Sequence, residues 1–312
     1  MNRIRIGLVG VGKIARDQHI PVLQARPDFA LVAATSRHNH VDGIANFHDV
    51  REMLTQTALD AVAICTPPQH HFEAALASLE AGKHVLLEKP PCRTLAEFDC
   101  LAEIAARKNL TLFQSWHSRF APAVDLAAEI LRGRRIQRAA IVWKEDVRRW
   151  HPGQTWIWEA GGFGIFDPGI NALSILTRIL PDEVFMTRAQ LAVPSNCQAP
   201  IAADLALRSA TGIAVTVALD FRQTGDQLWD VCFDTDMGQI LLSEGGSRIF
   251  VDGREMKRYG DERSEHAEYA PLYDHFAALI RAGVSDADAR PFRLVADAFL
   301  IGERITVEEF RE

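Results

Sequence analysis

Asp167 and Asn171 stand four residues apart in the stretch Gly161 to Leu180, where a glycine cluster gives way to an apolar run. Ile170, Leu173, Leu176 and Leu180 recur at helical spacing, which predicts a helix with one apolar face. On that helix a carboxylate and an amide one turn apart face the same space, where they could hold a hydroxyl group. Asp167 followed by Pro168 reads equally as an N-cap and the first helical residue, a structural use of the same carboxylate. A second chemical signal lies at the start of the chain. Gly10-Val11-Gly12-Lys13-Ile14-Ala15 follows a short apolar strand, Ile4 to Val9, and opens a helical stretch to about Arg26. In that setting Gly10 permits the tight turn and Gly12 removes the side chain that would collide with a pyrophosphate. Ala15 lets helix and strand pack closely, and the helix N-terminus offers unpaired N–H groups to phosphates.

After a second strand, Ala30 to Thr35, come Ser36-Arg37-His38, with no acidic residue before Asp42. A carboxylate here would hold a ribose 2′-hydroxyl. A hydroxyl and a guanidinium instead suit a 2′-phosphate, which favours NADP with NAD still possible. The alternative is a polar loop with a solvated arginine. Strands then alternate with helices: Ala61 to Thr66, a helix from about Gln69 to Ala81, His84 to Leu87, a helix over Leu95 to Lys108, and Leu110 to Gln114. That rhythm predicts a parallel sheet with ligands at the carboxyl ends of its strands, where Thr66, Lys89 and His117 fall. Beyond a helix over Pro122 to Leu131 the rhythm changes. A strand from Arg138 to Val147 is followed by β-like runs near 184–191, 201–208, 213–219, 229–234, 239–242 and 248–251, then by helices near 271–282 and 291–305. The expected class is α/β plus α+β: a dinucleotide-binding domain over 1–118 and an open, mostly antiparallel sheet domain over 119–312. Two domains also suit 312 residues, since single cores stop growing near roughly 250–300.

A net charge of −7 argues against nucleic-acid or acidic-membrane partners. No apolar run reaches the roughly 18 residues of a membrane helix and no signal peptide is evident, so a cytoplasmic protein is expected. The five cysteines show neither disulfide nor metal-ligand spacing and are expected to be mostly packed thiols; His70-His71 and His38-x-His40 lack supporting ligands, so no metal is expected.

The glycine loop, Glu88-Lys89-Pro90 ending a later strand, and Asp167 with Asn171 together resemble the glucose–fructose oxidoreductase and inositol dehydrogenase family of nicotinamide-dependent oxidoreductases. The resemblance spans the chain and implies a Rossmann domain followed by an open-sheet domain. The stretch Trp143 to Gly153, with the segment through Asn171, is further similar to the family's bacterial aldose 1-dehydrogenases, which oxidise L-arabinose and often D-galactose at the anomeric carbon. It implies cofactor contacts at Gly10, Gly12, Lys13, Ile14, Ser36, Arg37, His38, Thr66, Pro67, Glu88 and Lys89, and a catalytic group of Lys89, Asp167 and Asn171. Other expectations are a dehydrogenase of another polyol or sugar, or a non-catalytic dinucleotide sensor that would not need that group. A homo-oligomer, dimer or tetramer, is expected through the open sheet.

Much of the family carries histidine where this chain has Asn171. An amide takes no proton at neutral pH, so the base must be Asp167, Lys89 or a relayed water. Oxidising a sugar hemiacetal to a lactone removes the C1 hydroxyl proton as hydride leaves C1. Asp167 is expected to accept that proton while Lys89 and Asn171 position the hydroxyl, although an ordinary carboxylate is a weak base for the task. Glu145, His117, Trp150 and His151 are candidates for the remaining sugar contacts, against a turn role for His151 and a core role for Trp150. Arg148 and Arg149 either meet the cofactor or line the domain interface.

Overall fold

A computed structural model describes residues 2–259 and 267–311. The chain divides into two units, Met1–His117 with Glu265–Ala289, and Ser118–Ser264 with Arg290–Glu312.

In the first unit six strands pair in parallel: β1 (Ile4–Val9), β2 (Phe29–Thr35), β3 (Ala45–Phe47), β4 (Ala61–Ile64), β5 (His84–Leu87) and β6 (Leu112–Gln114), in the order β3-β2-β1-β4-β5-β6. This is the doubly wound order, whose reversal point lies between β1 and β4. Every residue of β4 is buried, as expected of a parallel strand covered on both faces. The small elements between β2 and β4 escape the sequence pattern. There Asp49 caps the helix Val50–Gln56, its carboxylate accepting from the N–H groups of Arg51 and Glu52. The helix Tyr269–Ala282, expected in the second domain, belongs to this unit instead. Its Tyr273 meets Phe29 edge-on at 5.3 Å, and Phe276 stacks on Phe29 and Phe113. The segment beyond it joins the edge of β6 through Gln114 N–H to Asp286 O and Asp286 N–H to Leu112 O. Aromatic burial and main-chain bonds thus return residues distant in sequence to the parallel sheet.

The second unit carries a mixed, mostly antiparallel sheet of nine strands: β7 (Ile136–Lys144), β8 (Val184–Pro194), β9 (Ala202–Ser209), β10 (Ala214–Asp220), β11 (Leu228–Thr235), β12 (Gly238–Ser243), β13 (Arg248–Val251), β14 (Arg254–Arg258) and β15 (Glu303–Val307). Their order is β14-β13-β12-β11-β7-β10-β9-β8-β15. Among the described residues of this sheet only β7 with β10 and β8 with β15 run parallel. The helix Phe166–Ile179 is buried on nearly every side and packs on the sheet so closely that a Cβ at Gly169 would stand 2.6 Å from Leu219. Two expectations are corrected here. Val147 is not the end of a strand; it opens the short helix Val147–Trp150, capped by the Asp146 carboxylate on Arg148 N–H. The last helix, Arg290–Ile301, stops before Gly302, where a Cβ would meet Ala298 O at 2.3 Å, and β-branched residues continue as β15 along β8.

Among the described residues no helix is long and apolar enough to cross a membrane. All five cysteines are free, but only Cys65 and Cys92 are buried; Cys100 is exposed, so the expectation of mostly packed thiols holds for fewer of them than supposed.

Candidate active site

In the first unit the glycine loop leaves β1 with Gly10 at φ +93°, its N–H bonded to Thr35 O at 2.9 Å. A Cβ on Gly10 would stand 2.9 Å from the Thr66 backbone nitrogen, so both the turn and the crossing of β4's end demand glycine. Gly12 differs. It is exposed, and a Cβ there would meet no protein atom within 4 Å, so nothing in the fold requires glycine at that place. Ala15 is fully buried, and no side chain caps the helical run that starts here. Beside this loop Thr66 Oγ1 is buried without a hydrogen-bond partner among the described residues. An open cradle, uncapped amides and an orphaned hydroxyl fit a dinucleotide pyrophosphate. Pro67 follows Thr66, half-buried; Ile14 is half-buried, and Lys13 is exposed and ion-paired with Asp17.

At the end of β2, Ser36 Oγ accepts the N–H of Asn39 at 3.2 Å, and Asn39 donates to Val11 O at 2.9 Å, tying this loop to the glycine loop. Arg37 and His38 are exposed, and the Arg37 guanidinium has no hydrogen bond or ion pair among the described residues. The nearest acid in sequence, Asp42, faces solvent and pairs with His40.

Glu88, expected from sequence among the cofactor contacts, has its own set of partners within the first unit. Its side chain is turned inward and is 3 % exposed. Oε2 accepts the Lys89 N–H at 2.8 Å; Oε1 accepts the Tyr269 hydroxyl at 2.8 Å and stands 3.1 Å from His19 Nε2. A carboxylate only accepts, so His19 Nε2 carries the hydrogen; Nδ1 lies 2.7 Å from the Tyr273 hydroxyl. Burial alone would raise the Glu88 carboxyl, but the His19 hydrogen bond and the charges of His19, His117 and Lys89 outweigh it and hold it at about 2. Burial raises both tyrosine phenols well above their ordinary value, so they are neutral groups here. Lys89 is half-buried and precedes a cis Pro90. His117 pairs through Nδ1 with Glu268 and stacks on Tyr269 at 5.3 Å. Nothing in the sequence singles out His19, Tyr269 or Tyr273.

In the second unit the helix begins at Phe166, with Ile165 at the N-cap and no side-chain cap. Asp167 is therefore inside the first turn, and the capping reading is overturned. The preceding glycines answer to packing: Gly164 sits at φ +52°, and a Cβ on it would stand 2.2 Å from Pro200 O. Asp167 and Asn171 are buried one turn apart, 3 % and 9 % exposed. His151 joins Asp167 to Glu145: Nδ1 lies 3.6 Å from Asp167 Oδ2, and Nε2 lies 3.4 Å from Glu145 Oε1. The other Glu145 oxygen accepts from the indoles of Trp229 at 2.7 Å and Trp143 at 3.2 Å. Two buried carboxylates therefore flank one imidazole at ion-pair distance, while its Nδ1 also lies 3.5 Å from Gln154 Oε1. Trp150 lies at the edge, its indole donating to Gln227 Oε1 and its ring against Trp229. Arg148 pairs with Asp146, and Arg149 covers the Trp150 ring. Glu145, His151, Asp167 and Asn171, all named from sequence, are brought together; Trp143 and Trp229, which fix Glu145, were not anticipated. Among the described residues no group of acidic, histidine or cysteine side chains is arranged to hold a metal.

A family model described as an oxidoreductase family with an NAD-binding Rossmann fold matches residues 4–115. Galactose 1-dehydrogenase of Pseudomonas fluorescens is 44 % identical over 311 residues, 99 % of each chain. The crystal structure of D-galactose-1-dehydrogenase from Rhizobium etli superposes with a TM-score of 0.94 at 50 % identity, covering 100 % of this chain and 99 % of that one. A 3-ketoreductase from Actinomadura kijaniata, solved with NADP and TDP-benzene, shares the fold at a TM-score of 0.83 and 19 % identity over 98 % of this chain and 100 % of that one. The glycine cradle, the doubly wound sheet and the full-length likeness lead to one assignment: the chain belongs to the GFO/IDH/MocA oxidoreductase family, with an NAD-binding Rossmann fold.

Proposed function

We propose that this protein is an NAD(P)-dependent aldose 1-dehydrogenase, oxidising D-galactose or L-arabinose at C1 to the aldonolactone. The observation that carries this reading is the end-to-end likeness to two proteins named galactose 1-dehydrogenase. The polar cluster on the Phe166–Ile179 helix supports it chemically. The oxidised nicotinamide supplies the acceptor for the hydride that leaves C1. Asp167 takes the C1 hydroxyl proton, so that the O–H electrons form the lactone C=O as the C1–H pair departs. His151 stands beside the Asp167 carboxylate, between it and Glu145. Asn171 donates or accepts at the same hydroxyl without titrating, and Lys89 stabilises the developing alkoxide charge. Gly10, Gly12, Lys13, Ile14, Thr66 and Pro67 hold the pyrophosphate side of the dinucleotide. Ser36, Arg37 and His38 meet its adenosine ribose, and the exposed Arg37 guanidinium, without an ion pair among the described residues, favours NADP. His117 and Trp150 complete the sugar contacts.

Incubation with NADP⁺ or NAD⁺ and each of a panel of aldoses, following absorbance of the reduced cofactor, tests the reading. Reduction with D-galactose or L-arabinose supports it; none with any aldose, despite dinucleotide binding, overturns it. Replacing Arg37→Asp is expected to weaken NADP⁺ binding by at least about tenfold more than NAD⁺ binding, by loss of a charge-assisted contact. Equal losses would remove its 2′-phosphate role.

A further inference from the structure

We propose that Glu88 is a positioning residue for Lys89, locking the turn that carries the lysine through a hydrogen-bonded hub shared with His19 and Tyr269. The inference rests on the role given to Lys89 above. β5 ends at Leu87, and Glu88 N–H still bonds to Ile64 O at 3.0 Å. One residue later the Lys89 N–H has left that ladder, and its acceptor is the Glu88 side chain. The turn is then only as fixed as that carboxylate.

The carboxylate is fixed from two sides. Tyr269 reaches it from a helix 181 residues away in sequence, and His19 from the helical run that starts at the glycine loop. That run begins at Lys13, directly after Gly12, and reaches His19, so the loop proposed to hold the pyrophosphate and the turn holding Lys89 meet at one side chain. A buried carboxylate is an expensive way merely to fill space, since well-packed apolar residues usually serve as well or better. With its oxygens occupied by Lys89 N–H, Tyr269 and His19, Glu88 instead sets the backbone position of the lysine. Misplacing a catalytic group by about 1 Å costs on the order of 100-fold in rate.

The experiment measures kcat with D-galactose and NADP⁺, and dinucleotide Kd by fluorescence, for Glu88→Met, Glu88→Gln and Tyr269→Phe. Each is made with Lys89 intact and in a Lys89→Met background. Glu88→Met, similar in length but unable to accept, is expected to lower kcat about 10- to 100-fold with Kd within about threefold. Glu88→Gln keeps an acceptor for the Lys89 N–H and is expected to recover most of the rate. In the Lys89→Met background Glu88→Met should change the rate by less than about twofold, because the group it positions is gone. An equal fold-loss in both backgrounds overturns the proposal, as does a raised Kd with unchanged kcat, which would make Glu88 a cofactor contact. If Glu88→Met fails to fold, Tyr269→Phe reads the same coupling: a loss of about two- to fivefold with Lys89 present and none without it. A Lys89→Met protein that keeps the native rate overturns the role of Lys89 itself, and this proposal with it.

Discussion

Asp167 changes meaning once its neighbours are seen. From spacing alone it serves equally as a helix cap or as a group facing a substrate hydroxyl. The structure gives the N-cap to Ile165 and sets Asp167 beside His151, which reaches back to Glu145. Replacing Asp167→Asn, nearly isosteric, is expected to lower kcat by about 100- to 10,000-fold, the usual contribution of a general base, with the thermal midpoint held within a few degrees. A loss confined to KM would assign it to binding alone. Glu88 shows the opposite lesson. Its place beside Lys89 suggests a cofactor contact, but its partners His19 and Tyr269 lie 69 and 181 residues away, and no local pattern announces them. Its carboxyl is held at about 2 in the fold, below the ordinary 4.5. Stability from this group is therefore complete above about pH 4.5 and is lost as pH falls toward 2. The difference in thermal midpoint between the native protein and Glu88→Gln should shrink across that window; a constant difference would show that ionisation of Glu88 contributes nothing.

Elements with strong periodicity are legible in the sequence, and those held by tertiary contacts are not. The strand, glycine loop and helix at the N-terminus follow from local chemistry, as does the helix over Leu95–Lys108 with Thr94 capping it. β15 does not, because three β-branched residues after a helix signal a strand only once β8 is there to pair with them. The two glycines of the loop separate fold from function. Gly10→Ala forces a side chain at φ +93° to within 2.9 Å of Thr66 and should destabilise the protein by at least about 1 kcal/mol. Gly12→Val meets no protein atom within 4 Å, so it should leave the melting temperature within a few degrees while weakening dinucleotide binding at least about tenfold. Equal effects on stability would mean that Gly12 serves the fold rather than a ligand.

The path of the chain imposes its own constraint. The first unit is completed by Glu265–Ala289, so residues 1–118 lack the helix that covers Phe29, Phe113, His19 and Glu88. Expressed alone, residues 1–118 are expected to lack a cooperative melting transition and to bind hydrophobic dye, leaving a buried charge and aromatic surface uncovered. A sharp transition would show that the parallel sheet is self-sufficient. Division of the chain into a parallel-sheet part and an antiparallel-sheet part was legible because the strand–helix rhythm stops near Leu131. Return of the chain to the first sheet was not, because an amphipathic helix does not state which sheet it covers. The proposed reaction turns on one event, the passage of hydride from sugar C1 to the nicotinamide. D-galactose carrying deuterium at C1 reads that event: incubation with NADP⁺ should give reduced cofactor bearing the deuterium, with a primary isotope effect on the single-turnover rate. Reduced cofactor free of deuterium, with the label still on the sugar, would contradict oxidation at C1.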